Sequence, residues 1–225
     1  MLLVVTGLKA EARAAAPLAR RPGSRIVAAG GDPDRVRTAI ERAFLDGADA
    51  VLSFGLAAGL APELHPGSLL VPDDVVDATG RLRFAVDPAW TARLRARLPA
   101  ADRRPLCGVS CVLAGVDDKA AVFSRSGAIA ADMESLAVAQ ACAAAGRRFA
   151  LVRVVCDPAS RPLPPAARRA MRADGRIDVA AVIGSLAGRP GQVPALLRVA
   201  VDARTAMAAL RAAALLAGGA DLDRA

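Results

Sequence analysis

Aromatic side chains and histidine are scarce in this chain. There is no tyrosine, one tryptophan, five phenylalanines and a single histidine, His65, among 225 residues. A core must therefore be built from Ala, Val and Leu, which suits close packing of helices on a sheet. Hydrophobic residues make up 54% of the chain, enough for one domain over residues 1–225. A domain of that size buries roughly 70% of its unfolded surface without staples. The net charge is +8, and a basic chain can favour nucleic acid, anionic membrane or anionic substrates. No aromatics interleave the arginines and no nucleic-acid motif is present, so nucleic acid is not an expected partner. The charge reads as a solvated basic surface. Metal binding is unsupported too. Cys107, Cys111, Cys142 and Cys156 fit no zinc spacing, and His65 adds no ligand near them. They read as buried, reduced thiols in a cytoplasmic protein, and neither metal nor organic cofactor is expected. The opening MLLVVTG has no basic region or cleavage signal and reads as a strand, not a signal peptide. The apolar stretch 206–216 is broken by Arg211 and is too short to span a bilayer.

What is present is a regular alternation. Short apolar runs at 2–6, 25–29, 50–54, 68–71, 75–78, 106–113, 129–132 and 149–155 read as strands. Between them, 10–18, 34–46, 90–98, 117–123 and 135–145 read as helices, and the chain after residue 158 reads as largely helical, punctuated by prolines. Strands alternating with helices predict an α/β fold: one three-layer α/β/α unit around a central mixed, mostly parallel sheet. Such sheets bind ligands at the carboxyl ends of their strands. That rule selects five segments: 7–11, 30–35, 55–59, 132–134 and 156–157.

Two of them carry chemistry. In SFGLAAGL, residues 53–60, small side chains let a backbone approach a flat ligand or an anion; a tight turn would need the same residues. In residues 130–160, Asp132 and Glu134 straddle Met133 at a helix start. A carboxylate there can accept two hydrogen bonds from a vicinal diol, and the thioether can pack on a sugar face. Asp157 ends a buried strand before a proline, where a carboxyl group could have a raised pKa and donate a proton. Taken singly, these acids read equally as a helix-start acid and a loop-capping Asp.

Together, in this order, the segments resemble the signatures of the purine nucleoside phosphorylase and methylthioadenosine/S-adenosylhomocysteine nucleosidase superfamily. Residues 55–60 and 64–71 match its strand–glycine turn, Asp132-Met133-Glu134 its Glu-Met-Glu helix start, and Arg153 to Asp157 its Arg-x-x-Ser-Asp strand end. The resemblance implies a phosphorylase-like fold and an enzyme that cleaves an N-glycosidic bond. It implies that Glu134 binds the ribose hydroxyls, Met133 lines the sugar, and Asp157 protonates purine N7. Ala57, Ala131, Phe149 and Val152 would sit near the base. The nucleophile stays open. Glu11 matches the glutamate that holds water in hydrolytic members, one residue nearer the glycine of its turn. Gly30, Gly31 and Arg35 resemble a Gly-Asp-Pro-x-Arg phosphate loop, moved from the first strand to the second; phosphate would then be a co-substrate.

The chain departs from the family pattern in having Cys156 before Asp157, and Ala114-Gly115 where many members have Ser-Gly-Asp. Shortened loops imply an open site and a large 5′ substituent. The combination with 7–12 is similar to the hopanoid-associated phosphorylase branch. That likeness implies an adenine nucleoside of the adenosylhopane type, released by phosphorolysis in hopanoid biosynthesis, a lipid-linked substrate, contact with the membrane surface, and a homo-oligomer. The alternatives are a hydrolytic methylthioadenosine/S-adenosylhomocysteine nucleosidase, a non-catalytic nucleoside-binding module on the same fold, and a membrane-surface adaptor carried by its basic helices.

Overall fold

The computed structural model describes residues 1–20, 22–169, 185, 188 and 190–218. Among these residues, nine strands form one sheet: β1 (Leu2–Thr6), β2 (Arg25–Ala28), β3 (Ala50–Gly59), β4 (Leu69–Leu70), β5 (Asp74–Asp77), β6 (Arg83–Ala85), β7 (Leu106–Gly108), β8 (Ala130–Asp132) and β9 (Arg148–Asp157). The helices are α1 (Lys9–Ala14), α2 (Pro33–Leu45), α3 (Pro88–Arg97), α4 (Val116–Ser126), α5 (Ser135–Ala144), α6 (Pro165–Arg169) and α7 (Val193–Ala217). The main path runs β2-β1-β3-β8-β7-β5-β6, with β9 paired to β3 and β4. Pairs β1/β2, β1/β3, β3/β9, β5/β7 and β7/β8 are parallel, whereas β3/β8, β4/β9 and β5/β6 are antiparallel. The sheet is thus mixed and mostly parallel, as the alternation of elements predicts.

Period-two alternation assigns the two faces. Leu3, Val5, Val51 and Leu151 pack with Val36 and Ile40 of α2 and with Val138 and Cys142 of α5. Leu2, Val4, Leu52, Phe54 and Val152 pack with Trp90 and Leu94 of α3 and with Leu210 and Ala214 of α7. These are the outer layers of the three-layer fold. A core of small and medium aliphatics follows directly from the shortage of aromatics.

Two expectations change. The strand expected to stop at Phe54 continues through Gly59, because its second half pairs with β9 on one side and β8 on the other. The small residues at 55–59 allow this crowded strand to continue and do not mark a turn. Conversely, the strand expected over 106–113 ends at Gly108, and 109–113 leave the sheet to form part of a cavity wall. The expected helical remainder after 158 is seen in α6 and α7; the rest of it lies outside the described residues.

Candidate active site

All five strand-end segments selected by the sheet rule meet in one cavity of about 410 Å³, the size of a small-molecule site. Its floor comes from Gly7 and Leu8, Gly30, Leu56 to Ala58, Ala131 to Glu134, and Cys156-Asp157. Its outer wall is mostly apolar, with Val112 and Leu113 from the segment after β7, Pro162 and Leu163 from the loop after β9, and Ala195 and Val199 from α7, and it carries the charges of Arg161, Arg198 and Asp202.

Glu11, in the first turn of α1, is buried at 4% exposure. Its Oε2 accepts hydrogen bonds from the amides of Gly7 (2.8 Å) and Leu8 (2.9 Å), and its Oε1 accepts one from Leu56 (3.0 Å). A cradle of three backbone amides, two just after β1 and one within β3, is therefore filled by a side chain of the protein itself. Burial raises the Glu11 pKa, while these amides and the Arg153 guanidinium pull it down.

Glu134 closes on the same glycine. A methyl group on Gly7 would lie 2.5 Å from Glu134 Oε1 and 3.4 Å from Glu11 Oε2, and one on Gly55 would lie 2.8 Å from Glu11 Oε2. The two glycines let a pair of buried carboxylates pack against bare backbone. Burial, followed by the like charges of Asp132 and Glu11, raises the Glu134 pKa to about 8. Met133 and Glu134 both line the cavity, and the Met133 methyl group packs against Gly31.

Asp132 has a different task. It accepts from the Ser135 amide (2.9 Å) and hydroxyl and from Nε of Arg153. Arg153 is fully buried on β9, and its Nη2 donates to Ser53 Oγ (2.6 Å) and Ser135 Oγ (3.0 Å). This network ties β3, β8, β9 and the start of α5 together beneath the cavity, so the first acid of Asp132-Met133-Glu134 is structural and the second faces the cavity.

Asp157, at the end of β9, pairs in register with Ala58 of β3. It lies two residues along that strand from Leu56, the Glu11 partner, or about 7 Å of strand. Its Oδ2 is 2.8 Å from Nζ of Lys119, which is wholly buried on α4. Burial raises the Asp157 pKa more than Lys119 lowers it. The Cys156 thiol beside it is pushed up to about 12 by burial and by Asp157 and Glu11, so it stays protonated at neutral pH.

Of the residues expected near a base, Ala57 and Ala131 line the cavity. Phe149 and Val152 do not. Phe149 is eight residues before Asp157, about 26 Å away along the strand, and packs in the α2/α5 core; Val152 is wholly buried beneath α3 and α7. The anion loop also differs. Gly30 lines the cavity, and Gly30 and Gly31 have positive φ (74° each) that favours glycine. Arg35, however, is exposed on α2 away from the cavity lining, and the amides of Asp34 and Arg35 are capped by Asp32 (3.0 and 3.3 Å). The helix start that would have held an anion is thus already occupied. Cys111 is exposed and lines the cavity, not buried as expected. Lys119, Arg161 and Asp202 carry no motif in the sequence; a lysine in Asp-Asp-Lys-Ala reads as a surface charge. Among the described residues, no cluster of three or more His, Cys, Asp or Glu side chains could hold a metal ion, and no helix is long and apolar enough to cross a membrane.

A search of curated proteins finds no match. Solved structures do match. An S-adenosylhomocysteine nucleosidase from Streptococcus pyogenes, in complex with 5-methylthiotubericidin, is 21% identical over 70% of this chain and 84% of its own, with a TM-score of 0.63. A 5′-methylthioadenosine/S-adenosylhomocysteine nucleosidase from Neisseria meningitidis, in complex with methylthio-immucillin-A, is 17% identical over 95% and 97%, with a TM-score of 0.64. A futalosine hydrolase mutant from Helicobacter pylori is 14% identical over 68% and 88%, with a TM-score of 0.61. At these identities the likeness is one of fold. The family model described as the phosphorylase superfamily matches residues 26–187, most of the chain. The protein is an enzyme that belongs to the phosphorylase superfamily.

Proposed function

We propose that this enzyme cleaves the N-glycosidic bond of an adenine nucleoside carrying a large apolar 5′ substituent, of the adenosylhopane type, and that water is the nucleophile. The observation that carries the reading is the placement of two kinds of carboxyl group in one cavity. Asp157 stands at one end, level with Ala58, and Glu11, bonded to Leu56 two strand residues away, stands with Glu134 against Gly7. A purine over Ala57, Ala58 and Ala131 places N7 toward Asp157 and the ribose over Met133 and Glu134.

The chemistry follows from that placement. Asp157 gives its proton to N7, the C1′–N9 bond breaks, and its electron pair stays on the base, which leaves as neutral adenine. The ribosyl group gains oxocarbenium character, which the Glu11 carboxylate stabilises electrostatically, while Glu134 hydrogen-bonds the ribose hydroxyls. Water then forms the new bond to C1′ and passes its proton to Glu11. The amide cradle supports water over phosphate. Gly7, Leu8 and Leu56 could have bound an anionic oxygen, but a carboxylate already occupies them, and a phosphate dianion beside it meets like charge.

The 5′ preference is read from the wall. Beyond the sugar, the described residues facing the cavity are mostly apolar, Val112, Leu113, Pro162, Leu163 and Val199, with Arg198 and the Arg161–Asp202 pair as the charged groups among them. Val193, Leu197 and Val201 form an exposed apolar row on α7 beside this mouth, which supports a substrate approached from a lipid surface. A series of 5′-alkylthioadenosines tests the preference. Each added methylene should raise kcat/KM roughly threefold to fourfold, from about 0.8 kcal/mol per buried CH₂, until the tail leaves the wall. A flat or falling series measured by adenine release would remove the apolar 5′ group from the reading.

A further inference from the structure

Lys119 is a wholly buried side chain facing an acid at the cavity. Its Nζ donates to the carbonyl oxygens of Pro158 (2.9 Å) and Arg161 (2.9 Å) and lies 2.8 Å from Asp157 Oδ2. Two carbonyls thus accept hydrogen bonds from the ammonium group, and Asp157 Oδ2 faces it as an ion-pair partner without hydrogen-bond alignment. A buried ammonium is costly unless it is paired with an opposite charge. The loop it holds is tied down twice more: Leu163 N donates to the Ala114 carbonyl just before α4, at 2.9 Å, and Arg161 pairs with Asp202 of α7 at 2.6 Å.

We infer that Lys119 is a positioning residue for the acid of the reaction: by occupying Oδ2 of Asp157, it assigns the transferable proton to Oδ1 and fixes that oxygen toward the base. This rests on the glycosidase reading above. Oδ2 has almost no solvent exposure, so a proton placed there would face the lysine and not a ligand. A cation on Oδ2 disfavours that placement and leaves Oδ1 as the donor. The carboxyl group loses its freedom to rotate, and the proton to be transferred has one address.

The same contact sets when the acid holds its proton. Asp157 is faced by Lys119 from α4, by Arg161 from the loop that follows, by Asp202 from α7, and by Cys156 beside it on β9. Burial raises its pKa and Lys119 pulls against that rise. An acid works only while protonated, so turnover is lost as pH climbs through the pKa of Asp157. Without Lys119 the downward pull is gone, and that loss moves to higher pH. A lysine that merely anchored the loop would lower activity and leave the pH limb in place.

The test uses the full chain labelled with [¹³Cγ]aspartate. The Asp157 signal is assigned by its absence in Asp157→Asn and titrated by NMR in wild type, Lys119→Met and Lys119→Gln. In both variants the midpoint should rise by at least about 1 pH unit, as expected for loss of an opposite charge at this distance. The alkaline limb of kcat/KM for adenine release should move with it. kcat should fall about 10- to 100-fold with KM within about threefold, and Lys119→Arg should bring the midpoint back toward wild type. If Lys119→Met does not fold, Lys119→Gln, which keeps hydrogen-bond donors without charge, decides. An unmoved midpoint in folded, active variants overturns the role of Lys119 alone. A wild type that releases base from no nucleoside overturns the glycosidase reading itself, whatever the titration gives.

Discussion

Asp157→Asn lowers kcat for adenine release by about 1000-fold, within the range that a positioned general acid supplies, and leaves KM nearly unchanged. The asparagine amide can still donate a hydrogen bond to N7 but has no proton to give up, so the base must leave as an anion or not at all. Binding surfaces stay as they are, because Ala57, Ala58 and Ala131 form the base platform independently of residue 157. The variant also loses the alkaline limb of the pH profile. In wild type that limb belongs to Asp157, whose pKa burial raises; activity requires the protonated form and falls as pH rises through that pKa. Initial-rate kinetics from pH 5 to 9 measure both effects. A variant within tenfold of wild type, with the limb intact, would mean that the proton comes from elsewhere.

Glu11→Gln costs a comparable factor, about 1000-fold in kcat, for the opposite reason. Glu11 takes the proton from water and must be ionised, so activity grows as pH rises through its pKa, which burial raises. A glutamine cannot take the proton. It also has one carbonyl oxygen where the carboxylate has two, so its NH₂ group faces the amides of Gly7 and Leu8 or that of Leu56. An unmatched buried donor costs about 1–3 kcal/mol of stability, visible as a lower urea midpoint. Glu11→Ala empties the amide cradle, and added formate should then restore part of the rate. Full activity in Glu11→Gln would leave the cradle as a structural device and transfer the role of base to Glu134.

The site was legible in the sequence at the level of which loops converge, because that depends only on strand order and the carboxyl-end rule. Gly7 to Glu11, Gly30, Leu56 to Ala58, Ala131 to Glu134 and Asp157 all reach the cavity for that reason. What failed was position within a strand. Phe149 and Val152 share β9 with Asp157, but a strand advances about 3.3 Å per residue and alternates its faces, so they end in the core. Apolar runs also could not say where a strand stops being paired: β3 outlasts its hydrophobic run because it has neighbours on both sides, and β7 ends early because it lacks them beyond Gly108. Partners distant in sequence were invisible. Lys119 meets Asp157 across 38 positions, and Asp132 meets Arg153 across 21, and neither pairing leaves a local signal. The outer wall drew on the segment after β7 and on α7, whose residues carry no motif.

The most direct measurement is adenine release from a 5′-alkylated adenine nucleoside in phosphate-free buffer made with ¹⁸O water, beside the same reaction with phosphate added. The hydrolytic reading predicts equal rates in both and ¹⁸O in the C1′ hydroxyl of the sugar product. Release only when phosphate is present, with a ribosyl 1-phosphate as product, would contradict it.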